Sequence, residues 1–391
     1  MAPFADFYWF IWITGAAMVG MAILFVSRRP YPAAGVFTLL MLASWPLWAG
    51  LDTVLRFLSF VAFLWTITAI QLGLVRKFGK SIYLTCVLVF AACTPVVAIK
   101  FQFLHLLAAS FILFRALQVI FDIHDGRVKS LNHGKYLLFL AFFPTLFAGP
   151  IDRFQRFCSD LGTPLKRREI LVRFELAFRH LWLGLLYKFV LAHILSLALN
   201  TNLEPYIGSN PITHDLAYLY IYGFYLVLDF AGYAAIAIAY SLMVGIQTPE
   251  NVNAPFYSLS IREFWTRMHI TLSFWFRDYV LMRLLLFIRR HKLISSPLVA
   301  SIVSLFISFG LMGFWHGATI PYVSYGLFHA ALLSAQEVWE HWHRTGAITW
   351  RPKKWLAWLV TFHLILISFA IFSGYVPKTL VPRDTASLVG N

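Results

Sequence analysis

Two histidines in strongly apolar sequence are the residues of this chain best suited to acid–base chemistry. His316 lies in the run LMGFWHG (311–317), and His269 lies 47 positions earlier, in FWTRMH (264–269). An ionisable side chain at membrane depth is costly unless it faces a cavity or a partner. A neutral imidazole accepts a proton near neutral pH, as a general base must do to activate a hydroxyl for attack on an ester or thioester. The pattern therefore predicts proton transfer inside a membrane, and the alternative is two histidines hydrogen-bonded between helices.

The neighbours of His316 favour a site over simple packing. Gly313 lies about one turn before it and Gly317 directly after it, so the helix is thin enough for another backbone or a ligand to approach. The indole of Trp315 offers an apolar wall. We expect an apolar pocket here, in which the uncharged form of the His316 imidazole is favoured.

His269 is predicted to lie on an amphipathic helix. Ser260 and Glu263 fit a capping box, with Glu263 reaching back to the Ser260 amide. Apolar residues then recur at helical spacing, which predicts one continuous helix from Ile261 to Phe276. His269 falls at the border of its apolar face, where a cavity would meet it. The alternative is an interfacial helix whose basic face binds anionic headgroups.

Three charged residues in apolar surroundings need partners. Asp229 lies near the middle of an apolar run, and Arg115 or Lys188 is a suitable counter-ion. An interhelical ion pair is the favoured interpretation, ahead of a catalytic acid. Arg277 and Asp278 follow the His269 helix, and we expect them to lock its end against the next segment.

The remaining histidines and the cysteines give weaker signals. His329 follows His316 on the next helix, where a structural role is favoured over lining the same cavity. His341 and His343 have metal-ligand spacing, but no carboxylate or cysteine cluster completes a site, so no metal is predicted. Cys158 has no histidine beside it in sequence, and an inert thiol is favoured over a nucleophile.

Composition indicates a polytopic membrane protein. Of 391 residues, 60% are hydrophobic and 13% charged, with a mean hydropathy of +0.72, whereas about a quarter of residues are charged in soluble domains. Apolar runs long enough to cross a bilayer recur, and we predict an all-α protein of about ten to twelve transmembrane or re-entrant helices. A single domain, 1–391, is expected, with N-terminal helices in 1–125 and a motif-bearing core in 126–376. The runs lie near 7–26, 33–50, 54–74, 81–98, 102–121, 174–200, 216–246, 297–318, 320–340 and 355–376.

The net charge of +15 is spread over short clusters between these runs. That distribution is typical of cytoplasmic loops and argues against nucleic-acid binding, which needs one contiguous basic surface. Loops poor in Lys and Arg, near Asp52, Lys100 and 204–215, and the N-terminus with Asp6, are predicted to face outward. The segments 136–150 and 279–288 have basic clusters on both flanks, and we therefore expect re-entrant or in-plane helices there.

Several longer motifs are spread over most of the chain from about Phe143 onward. They are FPTLFAGPIDRFQRF (143–157), YGF (222–224) with DFAGY (229–233), FWTRMHITLSFWFRDYVLMR (264–283), MGFWHG (312–317) and SFAIFSG (368–374). Together they resemble the membrane-bound O-acyltransferase family, and within it the branch that D-alanylates teichoic acids. Polysaccharide O-acetyltransferases share both histidines but usually have a proline-glycine-glycine loop after the Arg-Asp-Tyr triplet. Here Val280 and Leu281 follow instead, which favours the D-alanyl branch.

The resemblance implies a ring of helices around a central tunnel. It implies that His316 is the essential catalytic histidine and that His269 is the second, variable catalytic position, where many relatives have asparagine or aspartate. The implied donor is D-alanine on the phosphopantetheine arm of a small acidic carrier protein in the cytoplasm, with no tightly bound cofactor. The implied acceptor is a hydroxyl of a cell-envelope polymer outside the bacterial plasma membrane. Accessory membrane and extracellular proteins that relay the acyl group are compatible with it.

Alternative functions stay open from the sequence. A peptidoglycan or polysaccharide O-acetyltransferase subunit would use the same histidines with an acetyl donor. A transporter would use the re-entrant segments as gates, but it predicts internal repeats, and none is apparent. The basic residues Arg262, Arg267, Arg289, Arg290 and Lys292 suit electrostatic docking of an acidic carrier protein, or they reflect topology alone.

Overall fold

A computed structural model describes residues 7–101, 108–201, 208 and 210–375. These residues form α-helices joined by short connections, and within the described ranges the only extended pairing is a single bridge between Val252 and Met268. The predicted all-α class is confirmed. The N-terminus with Asp6 and residues 204–207 and 209 of the 204–215 loop lie outside the described residues, and the predicted orientation stays a prediction.

The described helices are numbered here in chain order. They are α1 (Phe7–Ser27), α2 (Pro30–Ser44), α3 (Pro46–Ala49), α4 (Leu51–Phe78), α5 (Ile82–Lys100), α6 (Ala109–Asp125), α7 (His133–Ala141), α8 (Phe154–Gly162), α9 (Arg167–Leu185), α10 (Ala192–Asn200), α11 (Pro211–Met243), α12 (Ile261–Arg267), α13 (Ile270–Phe276), α14 (Met282–Arg290), α15 (Pro297–His316), α16 (Ile320–Arg344) and α17 (Lys354–Ser373). Two π-helical turns, Leu186–Leu191 and Arg277–Leu281, join α9 to α10 and α13 to α14.

Seven helical stretches in the described part of the chain are long and apolar enough to cross a bilayer. A helix satisfies its own backbone hydrogen bonds, which is what a spanning segment needs in hydrocarbon. The predicted run 33–50 is divided, because Pro46 follows the end of α2 and starts the short helix α3. The seven stretches are Trp9–Ser27, Leu51–Phe78, Ile82–Lys100, Arg167–Asn200, Pro211–Met243, Pro297–His316 and Lys354–Ser373.

The chain divides into two compact units. The first comprises the residues up to Gly184 together with Tyr233–Asn251. In this unit α4, α5 and α6 pack on one another, and α2 packs on α7 and α8. Its most buried cation is Arg115, whose guanidinium donates to the carbonyl oxygens of Phe139 and Leu140, each at 3.0 Å, and to the Thr145 hydroxyl at 2.6 Å. These bonds satisfy carbonyls at the end of α7, where the helix gives way to a 3-10 turn.

The second unit comprises Leu185–Gly232 and the residues from Val252 onward. Here α15 and α16 pack closely as a helical hairpin joined by the turn 317–319, and α16 also contacts α12 and α17. Both candidate catalytic histidines belong to this unit. The predicted single domain with a core in 126–376, and the predicted ring around a tunnel, stay predictions.

Candidate active site

His316 is the last residue of α15. The next residue, Gly317, caps the helix and donates its N–H to the carbonyl oxygen of Gly313 at 3.3 Å. The chain then turns directly into α16. His316 is therefore at a helix end beside a tight turn, with its ring half-buried, rather than in mid-helix.

Gly313 is the point where the backbones of α15 and α16 meet. A Cβ atom placed on Gly313 would lie 2.5 Å from the carbonyl oxygen of Tyr322 and 3.2 Å from the Cα of Gly326. A Cβ on Gly326 would in turn lie 2.3 Å from the carbonyl oxygen of Phe309. No side chain larger than hydrogen fits at either position without moving a backbone. The predicted close approach at Gly313 is thus an approach of another helix.

Aromatic rings surround the His316 imidazole. Its ring centre is 4.4 Å from that of Trp315, 5.0 Å from that of Phe372, and 6.1 Å from those of Tyr322 and Tyr325. The predicted apolar wall at Trp315 is present. The other three rings were not predicted, although Tyr322 and Tyr325 have i, i+3 spacing on the next helix and Phe372 lies within the SFAIFSG motif.

The predicted continuous helix through His269 is wrong. Helix α12 ends at Arg267, Met268 is extended, and α13 begins at Ile270. His269 between them has a φ of 48°, in the left-handed region. Another part of the chain stabilises the break. The N–H of Asn253 donates to the carbonyl oxygen of Arg267 at 2.8 Å, and Val252 forms an antiparallel β-bridge with Met268. Helical periodicity does not register such non-local pairing.

Both ends of α12 are fixed by specific contacts. The Ser260 hydroxyl accepts the Glu263 N–H at 3.1 Å, as the capping box predicts, but the Glu263 carboxylate accepts from the N–H of Leu259 and not of Ser260. Further along the helix, the Trp265 indole N–H donates to Nδ1 of His329 at 3.2 Å. His329 is fully buried, so its favoured structural role, holding α12 against α16, accounts for its position.

The two candidate catalytic histidines converge on one indole. The ring centre of His269 is 6.3 Å from that of Trp315, which also contacts His316. On its other side His269 packs against Phe230 at 4.6 Å. Residues far apart in the sequence thus form one cluster, in which two groups able to move a proton share an aromatic wall.

Asp229, the residue before Phe230, forms an ion pair. Its carboxylate accepts from Nζ of Lys188 at 2.5 Å, and Lys188 lies on the π-helical turn Leu186–Leu191. Of the two partners that the sequence allows, the structure selects Lys188, since Arg115 is bound to backbone carbonyls of its own unit. The pair joins two stretches that qualify as membrane spans, and it favours the interhelical role predicted for Asp229.

Arg277 and Asp278 lie on the π-helical turn that follows α13. Their side chains pair with each other at 2.8 Å, and the Arg277 guanidinium also lies over the Phe274 ring at 4.5 Å. These contacts lie within the end of α13 and the turn, and the predicted lock against the next segment stays a prediction. The role of both residues at the site stays a prediction.

The thiol of Cys158 is poorly suited to nucleophilic chemistry. Burial raises the pKa of this thiol to about 11, so it is protonated at neutral pH. Among the described residues, no group of three or more His, Cys, Asp or Glu side chains is arranged to hold a metal ion.

Basic residues near α12 and α14 differ in how far they are neutralised. Arg262 pairs with Glu337 and Glu340 at 2.7 and 2.6 Å, and Arg267 pairs with Glu263 at 2.9 Å. By contrast, the exposed residues Arg289, Arg290 and Lys292 have no carboxylate partner within the described part of the chain. The surface available to an acidic partner is therefore centred on the end of α14.

The described helices form a multi-pass membrane protein, and two of its histidines contact one tryptophan. Residues 101–375 match the membrane-bound O-acyltransferase family. The chain belongs to this family, and it is an O-acyltransferase.

Curated relatives agree with the family. The chain is 33% identical over 394 aligned residues to a teichoic acid D-alanyltransferase of Bacillus subtilis (strain 168), covering 96% of this chain and 98% of the relative. It is 39% identical to a teichoic acid D-alanyltransferase of Streptococcus thermophilus, covering 70% of this chain and 69% of the relative. A probable alginate O-acetylase of Pseudomonas syringae pv. tomato is 31% identical over 67% of this chain and 48% of the relative.

Proposed function

We propose that this protein transfers a D-alanyl group from the thioester of a cytoplasmic carrier protein towards a hydroxyl of a cell-envelope polymer, as in teichoic acid D-alanylation. The observation that carries the proposal is the shared contact of His269 and His316 with Trp315. Two imidazoles beside one aromatic wall provide both a base and a hydrogen-bond donor for acyl transfer.

Two lines of similarity support D-alanine as the acyl group. Relatives that match 96% and 70% of this chain are teichoic acid D-alanyltransferases. The sequence after the Arg-Asp-Tyr triplet also runs on into Val280 and Leu281. In the structure these residues continue through the π-helical turn into α14, and no loop interrupts them.

In the proposed reaction His316 acts as the general base. Its imidazole takes the proton of the acceptor hydroxyl while the hydroxyl oxygen attacks the thioester carbonyl carbon. The tetrahedral intermediate then collapses, the carbon–sulfur bond breaks, and the leaving thiolate takes the proton back from the imidazolium. The products are an ester and a free carrier thiol, so no other reactant is needed. The phosphopantetheine arm of the carrier is a substrate in this scheme.

His269 is proposed to donate a hydrogen bond to the thioester carbonyl oxygen as negative charge develops on it. Removal of one such donor typically costs about 10²–10³ in kcat. The left-handed backbone at His269 supports this role, because it turns the chain sharply between two helices and places the imidazole beside Phe230 and Trp315.

The carrier protein is proposed to dock at the end of α14. Arg289, Arg290 and Lys292 are exposed and not neutralised by described carboxylates. An acidic partner is steered to such a patch, and its association slows as salt rises. Arg262 and Arg267, already paired with glutamates, contribute less.

The decisive experiment is acyl transfer in reconstituted vesicles. Purified carrier protein loaded with radiolabelled D-alanine or acetate is added outside inverted vesicles that enclose a teichoic acid as the hydroxyl acceptor. The vesicle membrane contains the wild type, His316→Ala or the control His193→Gln. His193 is exposed and lies apart from the cluster. We expect D-alanyl transfer by the wild type and the control, and none by His316→Ala. Transfer by His316→Ala at the wild-type rate would refute the base assignment.

The same assay separates the alternatives. Faster use of the acetyl donor would favour a polysaccharide or peptidoglycan O-acetyltransferase subunit. The 31% identical alginate O-acetylase relative supports this as the second candidate. Movement of a solute across the membrane without any acyl donor would identify a transporter and overturn the proposed function.

A further inference from the structure

The second unit contains a large cavity that the proposed reaction does not use. It has a volume of about 1060 Å³ and lies between the N-terminus of α12, the second half of α16 and the first half of α17. One end has polar and aromatic side chains, among them Trp339, His343 and Arg351, and the other end is aliphatic, with Leu332, Val360 and Leu364.

The cavity lining extends along α17 over about the thickness of one leaflet. Along α17 the lining runs from Arg351, just before the helix begins, to Leu364. Ten residues of helix separate Lys354 from Leu364, and at a rise of 1.5 Å per residue they span about 15 Å. The hydrocarbon core of a bilayer is about 30 Å thick, so one leaflet is about 15 Å. An acyl chain fits this length.

The polar end carries unbalanced positive charge. Among its acidic groups, Glu340 already accepts hydrogen bonds from Arg262 and Gln336. Arg344 is paired with Glu337 at 3.3 Å. Arg351 has no carboxylate partner within the described ranges, and Lys353 follows it closely. An anionic group at this end would therefore find an unneutralised guanidinium.

An unsatisfied histidine nitrogen adds a second, independent observation. Nε2 of His343 is buried and has no hydrogen-bond partner among the described residues. A buried polar nitrogen without a partner is costly, and it needs a ligand or a water molecule. The His343 ring packs on Trp339 at 5.0 Å, and Trp339 in turn contacts Trp350 at 5.9 Å. Tryptophans in this density beside arginine and lysine mark the headgroup level of a membrane.

We propose that this cavity binds one anionic phospholipid of the inner leaflet. Its phosphate would contact Arg351 and the His343 ring, and one acyl chain would lie along Val360 and Leu364. The alternative occupant, an acidic protein, would meet the charged end, but it would leave the deep aliphatic end empty. The bound lipid would brace α12 against α16 and α17 at the cytoplasmic surface.

The test measures lipid affinity of the purified full chain by native mass spectrometry, with phosphatidylglycerol and phosphatidylcholine of equal chain length as probes. We expect one tightly retained phosphatidylglycerol and weaker retention of phosphatidylcholine. Arg351→Gln removes one charge near the headgroup, which is worth about fivefold in affinity. Val360→Trp fills the chain end and should abolish tight retention.

Two matched variants control for general effects. Lys129→Gln removes an exposed charge in the other unit, and Leu359→Trp adds an indole on the same helix outside the cavity lining. Both should retain phosphatidylglycerol like the wild type, and unchanged melting temperatures would show that all four variants fold. Equal retention of the two lipids, wild-type affinity of Arg351→Gln and Val360→Trp, or displacement of the lipid by an acidic carrier protein would each overturn the proposal.

Discussion

Replacing Gly313 with alanine should uncouple the helix that carries His316 from its neighbour. The added methyl would lie 2.5 Å from the Tyr322 carbonyl oxygen. Close-packed interiors do not accept such contacts, so the backbone of α15 or α16 must move by at least about 0.5 Å. Backbone shifts of this kind in a packed core typically cost about 1–3 kcal/mol.

Gly313→Ala should slow catalysis as well as destabilise the fold. Gly313 is one turn before His316, and Tyr322 itself lies against the His316 ring. A displacement of about 1 Å at a reacting group lowers the rate about 10²-fold, which corresponds to roughly 2.7 kcal/mol in the activation barrier. We therefore expect Gly313→Ala to retain its fold in detergent, with a lower melting temperature, and to transfer acyl groups about 10²-fold more slowly.

Gly310 supplies the matched control on the same helix. A Cβ atom there would meet only Cδ2 of Leu327, at 3.9 Å, which is an ordinary contact. Gly310→Ala should keep wild-type transfer and gain up to about 1 kcal/mol from helix propensity. Acyl transfer and thermal unfolding of both variants in the same detergent would measure the difference. Indistinguishable behaviour of Gly313→Ala and Gly310→Ala would refute this reasoning.

Three further substitutions test other parts of the site. His269→Gly keeps a residue that tolerates positive φ and removes the proposed donor. Transfer should fall about 10²-fold, and an unchanged rate would contradict that role. Lys188→Met leaves the Asp229 carboxylate without its cation and should destabilise the protein by about 1–3 kcal/mol in thermal unfolding. The double variant Lys188→Met with Asp229→Leu should recover part of this loss of stability. Because the pKa of its thiol is about 11, Cys158 should react slowly with iodoacetamide at pH 8 and faster as the pH approaches 11. Full activity of Cys158→Ala would agree with an inert thiol. An acyl group trapped on this thiol would contradict it.

Local signals in the sequence predicted local structure well. The helix N-cap at Ser260 and the apolar runs of seven spanning stretches are found where their spacing places them. The choice between Lys188 and Arg115 for Asp229 was open, because it depends on which helices are neighbours. Arg115 does not pair with Asp229, because its guanidinium donates to carbonyl oxygens at the end of α7. In the sequence, the end of α7 is indicated only by Pro144.

The break at His269 and the aromatic residues around His316 could not be predicted from the sequence for the same reason. Both depend on segments distant in the chain, Val252 and Asn253 in the first case and Phe372 in the second. Apolar periodicity from Ile261 to Phe276 is compatible with one helix or with two short ones. The non-local hydrogen bond to Arg267 decides between them.

The positive φ at His269 restricts which amino acids evolution can place there, before any catalytic requirement applies. Asparagine, aspartate, histidine and glycine tolerate this conformation, whereas β-branched side chains are strained in it. An asparagine at this position in a related enzyme therefore reports the shape of the main chain as much as the chemistry. Variation at the second histidine position among family members is accordingly a poor guide to whether a given enzyme has lost activity.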